Sequence, residues 1–266
     1  MDLFSYIILK VKYLYTFLFF YNDEIGSSKM TSLKEYINFY KVAKKRARSH
    51  DDYIEFEEFQ SEIVMKFLKK KGVRLSGKTV LDIGSGRGGY ASRFRKEGAK
   101  VIALDIIKDL FQNVKGVNFI LGDATQMPLK SEKFDFIFCS SIIEHIRKPE
   151  MLVSEIKRVL KKNGICYLSF PPFWSPVGAH QFKPFQYLGE DIATFLARKL
   201  YGARSYKYDD ASGKLHIRTI RQVKKLLKNE GLKTKSVTTR MLPINFAKIP
   251  LLNELLTWHV EFIITK

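Results

Sequence analysis

Cysteine is scarce in this chain: two residues in 266, Cys139 and Cys166, both inside apolar runs and neither with a partner at metal-ligand spacing. That argues against a disulfide framework and a zinc-ribbon class, and it fits a reducing, cytoplasmic compartment. The triphosphate-loop signature is also missing, because no glycine turn is followed by G-K-[ST]. Internal repeats and low-complexity linkers are absent, which removes solenoids and long disordered tethers. Acidic residues are few, 27 against 46 Lys and Arg, for a formal net charge of +19. Such an excess points to a polyanionic partner, an acidic membrane surface, or a passive lysine-rich exterior.

An uninterrupted hydrophobic span is lacking too. "LFSYIILKVKYLYTFLFFY" (3–21) is apolar and aromatic, but Lys10 and Lys12 stand in its middle. Each central lysine costs roughly 2.5–3.5 kcal/mol in a spanning helix, which argues against a clean transmembrane helix. Without a basic start and a small-residue cleavage site, it does not read as a signal peptide. It reads as a helix packed on the domain or a translated extension ahead of a start at Met30. An interfacial helix giving peripheral membrane contact is the alternative.

What is present suits a globular core: 45% of residues are hydrophobic and 27% charged. The length suits one domain with an insertion. Residues 1–30 form the apolar extension, 31–76 an N-terminal helical segment, and 77–266 the main domain, with a cap insertion at 171–216. In "FEEFQSEIVMKFLKKKG", Phe56, Phe59, Ile63, Phe67 and Leu68 recur at helical steps, and Gly72 ends the run. Then strands and helices alternate. "KTVLDIG", "KVIALDI", "GVNFILGDA", "KFDFIFCSS" and "ICYLSFPP" read as strands. "YASRFRKEG", "KPEMLVSEIKRVLKKNG" and "RTIRQVKKLLKNEG" read as helices, the second with Pro149 at its start and Gly164 after its end. The alternation predicts a parallel sheet covered by helices on both faces. The segment 171–216 breaks the rhythm and is crowded with aromatics.

The glycine turn "VLDIGSGRGGY" (80–90) should hold a nucleotide at the carboxyl edge of the sheet. Gly84, Gly86 and Gly89 satisfy the dinucleotide pattern G-x-G-x-x-G, and Gly84, Gly86 and Gly88 equally satisfy G-x-G-x-G. Asp82 favours the second. A carboxylate aimed into the turn would repel a pyrophosphate but suit a ligand that carries an ammonium or sulfonium. Asp105, ending the next strand, can accept from both hydroxyls of a ribose. Asp123, in "GDA", can accept from an adenine amine, with the Ala124 N–H donating to the ring. Three acids in successive loops fit S-adenosyl-L-methionine (SAM) better than a dinucleotide.

"VLDIGSGRG", the acid of "ALDI", "GDATQMPL", "FDFIFCSSIIEHI" and "EIKRVLKKNGICYLSF" occur in order over roughly residues 55–240. As a set they resemble the class I SAM-dependent methyltransferases of the type 11 group. The resemblance implies an α/β, Rossmann-like seven-stranded sheet, mostly parallel, whose last strand, "WHVEFIITK", runs antiparallel. It carries the cofactor contacts to Asp82, Gly84, Ser85, Gly86, Gly88, Asp105, Ile106, Asp123, Ala124 and Ser140, with Ser141 beside the methyl-transfer site.

Methyl transfer is mainly alignment of acceptor, methyl and sulfur, and a hydroxyl acceptor would further use a general base. His145, in "IIEHI", and His180, in "SPVGAHQFKPF", are the candidates; the first is equally a residue that merely holds its loop. His216 and His259 read as structural, and Cys139 as a core residue. "FPPF" (170–173) follows the wrong strand to be the motif of amino-methylating nucleic-acid enzymes. The aromatic cap favours a small-molecule, glycan or lipid-linked acceptor, and its sequence resembles a segment of type 11 enzymes linked to cell-surface polysaccharide synthesis. Basic runs at 41–49, 69–74 and 221–235 keep RNA as the alternative acceptor. A non-catalytic interaction protein of the same fold is the third reading.

Overall fold

Most strand-forming sequence in this chain lies in short apolar runs with an acid or a serine at or near the end. In the computed structural model, which describes residues 28–29, 33–46, 48–111, 114–209, 215–242, 244–250 and 252–266, each of those runs becomes a strand. The apolar stretch 3–21 lies outside the described residues. In chain order the elements are β1 (Ser28–Lys29), α1 (Leu33–Lys45), α2 (His50–Lys70), β2 (Thr79–Ile83), α3 (Gly89–Lys96), β3 (Lys100–Asp105), β4 (Val117–Leu121), β5 (Phe134–Ser140), α4 (Pro149–Val159), β6 (Leu160–Phe170), α5 (Glu190–Tyr201), α6 (Ile220–Asn229), β7 (Lys233–Met241), α7 (Asn253–Leu256) and β8 (Val260–Thr265).

The sheet order is β1-β7-β8-β6-β5-β2-β3-β4. β4, β3, β2, β5 and β6 pair in parallel, and β8 lies antiparallel between β6 and β7. This is the expected seven-stranded sheet, six strands one way and the last one reversed. The two-residue β1 adds to its β7 edge. β2 lies between β3 and β5, so the chain reverses its winding direction there, and the loop after β2 opens at the crevice where such sheets bind ligands.

Each face of the sheet has its own apolar layer. Leu152, Val153, Ile156 and Val159 of α4 join Ile220, Val223 and Leu227 of α6 on one side. Val64, Phe67 and Leu68 of α2 join Ala91 and Phe94 of α3 on the other. Of the helical stripe read at 56–68, Phe67 and Leu68 lie in this second layer, while Ile63 and Phe59 pack with Met241, Tyr36 and Phe39. Ser49 starts α2 by accepting from the Asp52 amide at 3.1 Å, so the N-terminal helical run is two helices and not one. Cys139 and Cys166 are free and buried in adjacent strands, as their apolar context predicts.

One boundary differs from the sequence reading. The helix expected to run to Asn163 stops at Val159, and β6 begins at Leu160. Leu160 pairs with Phe134 across the sheet, with an irregularity before the next paired residue. This pairing between distant residues overrides the helical periodicity of "RVLKKN". The segment after β6 packs around its own apolar cluster of Phe173, Phe182, Ala193, Ala197, Tyr208 and Leu215. It therefore forms a small structured unit, and its His180 approaches His145 of the turn after β5. Among the described residues no helix is long and apolar enough to cross a membrane.

Candidate functional site

The turn after β2 is shaped by three left-handed glycines: Gly84 at φ 70°, Gly86 at 51° and Gly88 at 91°. A side chain would be strained at each. At Gly84 it would also collide, since an added Cβ would stand 1.9 Å from Ile142 Cδ1. Asp105 braces the turn from the neighbouring strand. Its Oδ2 accepts from the Gly86 amide at 2.8 Å and its Oδ1 from Ile107 at 2.9 Å.

Asp82 is buried beneath this turn, and its Oδ2 has no hydrogen-bond partner. Burial pushes its pKa well above the usual carboxylate range, and the charges of Glu57 and Asp105 push it further. The Ser85 hydroxyl is likewise buried without a partner. Glu57 is the unexpected member. It comes from α2, is buried, and accepts from the Gly89 amide at 3.3 Å. Burial raises its pKa to about 7, against the lowering effect of the Gly89 amide and Arg87. The Arg87 guanidinium in turn lies over the Tyr53 ring at 4.4 Å, so α2 is fastened to the glycine turn at two places.

Asp123 stands exposed after β4 and takes the Thr125 amide (2.7 Å) and hydroxyl (2.8 Å) on one oxygen. Its neighbour Ala124 is half-buried against the core, while Ile106, past Asp105, is an exposed apolar residue at the same edge. The structure thus brings Asp82, the glycines and Asp105 into direct contact or electrostatic reach. Asp123 follows at the next strand end, where the Gly122 amide donates to the Asp105 carbonyl at 2.9 Å.

Ser140 is engaged elsewhere. Its hydroxyl accepts from Ser169 at 2.9 Å and from Arg240 at 3.3 Å. Arg240 is completely buried and also reaches Glu261 at 3.2 Å, Gln60 at 3.2 Å, Ser169 at 2.9 Å and the Tyr167 hydroxyl. This polar network runs through the wall of the site. Ser141, next in the chain, holds a left-handed backbone at φ 57°, a conformation concentrated at functional turns.

Under the cap the two candidate bases meet. The rings of His145 and His180 are 5.3 Å apart between centroids. His180 has φ 45°, and burial lowers its pKa to about 4, with His145, Lys183 and Arg46 adding to the effect. The imidazole is therefore neutral at pH 7 with a lone pair free, and burial makes it a weak base. Lys183 is lowered too, by burial first and by Arg46 second. His259 belongs to this group: its Nε2 is 3.2 Å from Ser169 Oγ, and burial, Arg240 and His180 hold its pKa well below the usual value. His216 contacts Asp209 through Nδ1. Glu144, beside His145 and His180, is buried, with neither carboxylate oxygen hydrogen-bonded to another residue and a pKa raised by burial to about 8.

Sequence reasoning gives no role to Glu57, Lys183 or Arg240, and reads His259 as structural. Arg240 and Glu261 carry a readable signal, being opposite charges in two otherwise core-forming strands. Glu57 carries none, because "FEEFQSE" looks like an ordinary solvated helix face.

A Rossmann-like sheet with one reversed strand and an acidic glycine turn defines the class I methyltransferase fold. Residues 81–168 match the model of a methyltransferase domain of the type 11 family. The chain is 31% identical over 134 residues to the biotin biosynthesis bifunctional protein BioHC of Cellvibrio japonicus, a match covering 48% of this chain and 27% of that protein. It is 30% identical over 128 residues to an uncharacterized methyltransferase of Mycobacteroides abscessus, covering 45% of this chain and 49% of that protein. The chain therefore spans about a quarter to a half of the length of these curated relatives. A SAM-dependent methyltransferase from Archaeoglobus fulgidus has the same fold, with a TM-score of 0.53 at 17% identity over 85% of this chain and 99% of that one.

Proposed function

We propose that this chain is a SAM-dependent methyltransferase acting on a small-molecule, glycan or lipid-linked acceptor held under the cap. The observation that carries the cofactor half is the Asp82 carboxyl, buried beneath the glycine turn with a free oxygen and with Glu57 beside it. A phosphate there would face two acids. A cationic ligand would supply what both lack, so the residues fit SAM and do not fit a dinucleotide. In this reading Asp82, Gly84, Ser85, Gly86 and Gly88 hold the amino-acid part, Asp105 the ribose, and Asp123 with Ala124 and Ile106 the adenine. SAM, when bound, supplies an activated methyl group.

The chain's own work is to position and desolvate. The cap excludes water, and His180 or His145 takes a proton from a hydroxyl acceptor. Ser140 supports this end indirectly, through Ser169 and Arg240. The enclosed aromatic cap supports a compact acceptor over RNA, and the biotin-pathway name of one relative agrees with a small molecule. RNA stays as the second reading because of the +19 charge. Peripheral membrane contact through residues 3–21 is a further element of the proposal, compatible with a lipid-linked acceptor.

Calorimetry with S-adenosylhomocysteine (SAH) and NADH tests the cofactor. Tight SAH binding with no NADH binding supports it, and the reverse overturns it. Labelled SAM incubated with lysate of the source cell, then fractionated into RNA, protein, lipid and polysaccharide, tests the acceptor; label confined to RNA overturns the compact-acceptor reading.

A further inference from the structure

We propose that Glu144, His145 and His180 form a binding site for a single divalent transition-metal ion. Glu144 and His145 lie on the short turn Ile143–His145 that follows β5, and His180 opens the turn His180–Phe182 of the cap. One oxygen or nitrogen from each of the three lies within 4.8 Å of the other two. Cap and sheet thus contribute ligands to one point, although no sequence spacing announces them.

Two observations point to a cation. The Glu144 side chain is 2% exposed, and neither of its oxygens accepts a hydrogen bond. A buried carboxylate in that condition is costly unless something positive meets it. The nearby Arg218 does not supply hydrogen bonds to it: its guanidinium donates to the carbonyls of Ile143, Ile146 and Ile217. The backbone of Glu144 is fixed as well, because its carbonyl accepts from the His216 amide at 2.8 Å. The turn is therefore held in place, and the carboxylate feels the Arg218 charge without a hydrogen-bond donor from another residue.

The donor set selects the ion. Two imidazoles with one carboxylate suit Zn²⁺, Fe²⁺, Mn²⁺ or Co²⁺, whereas Mg²⁺ and Ca²⁺ take oxygen ligands. Three protein ligands leave open positions, the pattern of a site that also binds a water or a substrate oxygen. Ligand atoms on a tetrahedral Zn²⁺ are about 3.3 Å apart, so the three groups must draw in somewhat on loading. His180 sits on the cap, where such movement is simplest. If the methyltransferase reading holds, the ion would lie at the acceptor end and, in the metal-loaded protein, would activate an acceptor hydroxyl in place of a free His180 or His145 imidazole. The binding site itself does not depend on that reading.

The test uses the full chain, stripped of metal with a chelator and titrated with CoCl₂ while visible absorption is followed. A one-to-one complex with ligand-field bands is expected. Glu144→Gln and His180→Gln should each weaken it by at least tenfold, a typical loss on damaging a metal site. Glu97→Gln, a surface control, should leave it unchanged. Circular dichroism checks folding, and should Glu144→Gln not fold, His180→Gln decides alone. No complex at millimolar CoCl₂, or an affinity equal to the parent's in either folded site variant, overturns the proposal. SAH calorimetry on the same metal-free protein separates the two readings: SAH binding without Co²⁺ binding sinks the metal site only, and Co²⁺ binding without SAH binding sinks the cofactor reading only.

Discussion

The Glu57 carboxylate, carried by α2, reaches the amide of Gly89 at 3.3 Å on the first turn of α3. A helix outside the matched family region thereby supplies an acid to the glycine turn. Burial raises that acid to about 7 from an ordinary value of 4.5. Between those values the folded protein keeps a proton that the unfolded chain has released, so stability should fall as pH rises from about 4.5 to about 7 and stay lowered above it. Glu57→Gln removes the titration. Its melting temperature should gain on the parent from about pH 5 to about pH 8, by an amount equivalent to at most ~3 kcal/mol. Parallel melting curves for the two proteins across that range would show that Glu57 is not perturbed.

Asp105 has two jobs that one substitution can separate. It accepts from the Gly86 and Ile107 amides, and in the proposed cofactor complex it also faces the ribose. Asp105→Ala should lower stability by about 1–3 kcal/mol through the two orphaned amides and should abolish the rise in melting temperature that SAH gives the parent. A variant that melts lower yet keeps the full SAH shift would reduce Asp105 to a brace for the loop.

The strands were legible wherever burial on both faces forced a continuous apolar run, as in "VLDI", "VIALD" and "FDFIFCS". The reversed last strand came from family resemblance, since nothing local in "WHVEFIITK" fixes its direction. The end of α4 was misread because "RVLKKN" has good helical periodicity, and only the Leu160–Phe134 pairing draws it into the sheet. The acids of the cofactor edge were legible because each lies at a strand's end or within two residues of it. Glu57 and His259 were not, because their environment is created by docking between elements distant in the chain. His180 was legible as chemistry; its approach to His145 was not.

Gly84 owes its identity to contact as much as to its φ of 70°. An added Cβ meets Ile142 Cδ1 at 1.9 Å, and Ile142 stands two residues past the end of β5. Gly84→Ala should therefore displace the loop after β5 and weaken SAH binding at least tenfold by calorimetry, an effect of about 1.4 kcal/mol. Ile142→Ala in the same protein should recover part of the loss by removing the clash, while the backbone strain persists. If the double variant binds SAH no better than Gly84→Ala alone, the strain and not the clash is what excludes a side chain.

The Arg240–Glu261 pair lies entirely out of solvent, at 1% and 0% side-chain exposure. It crosses the β7–β8 ladder while Tyr167 donates to Glu261 at 2.6 Å and Thr238 at 3.3 Å. Removing one charge strands the other, so Arg240→Met should cost on the order of 3–5 kcal/mol in urea unfolding. Glu261→Gln should also destabilise the protein, since it leaves the guanidinium without its counter-charge. The pair removed together should cost less than the two single losses added, by more than about 1 kcal/mol, because neither charge is then abandoned. Additivity within about 0.5 kcal/mol would mean that Arg240 is held by Tyr167, Ser169 and Gln60 and that the ion pair itself contributes little.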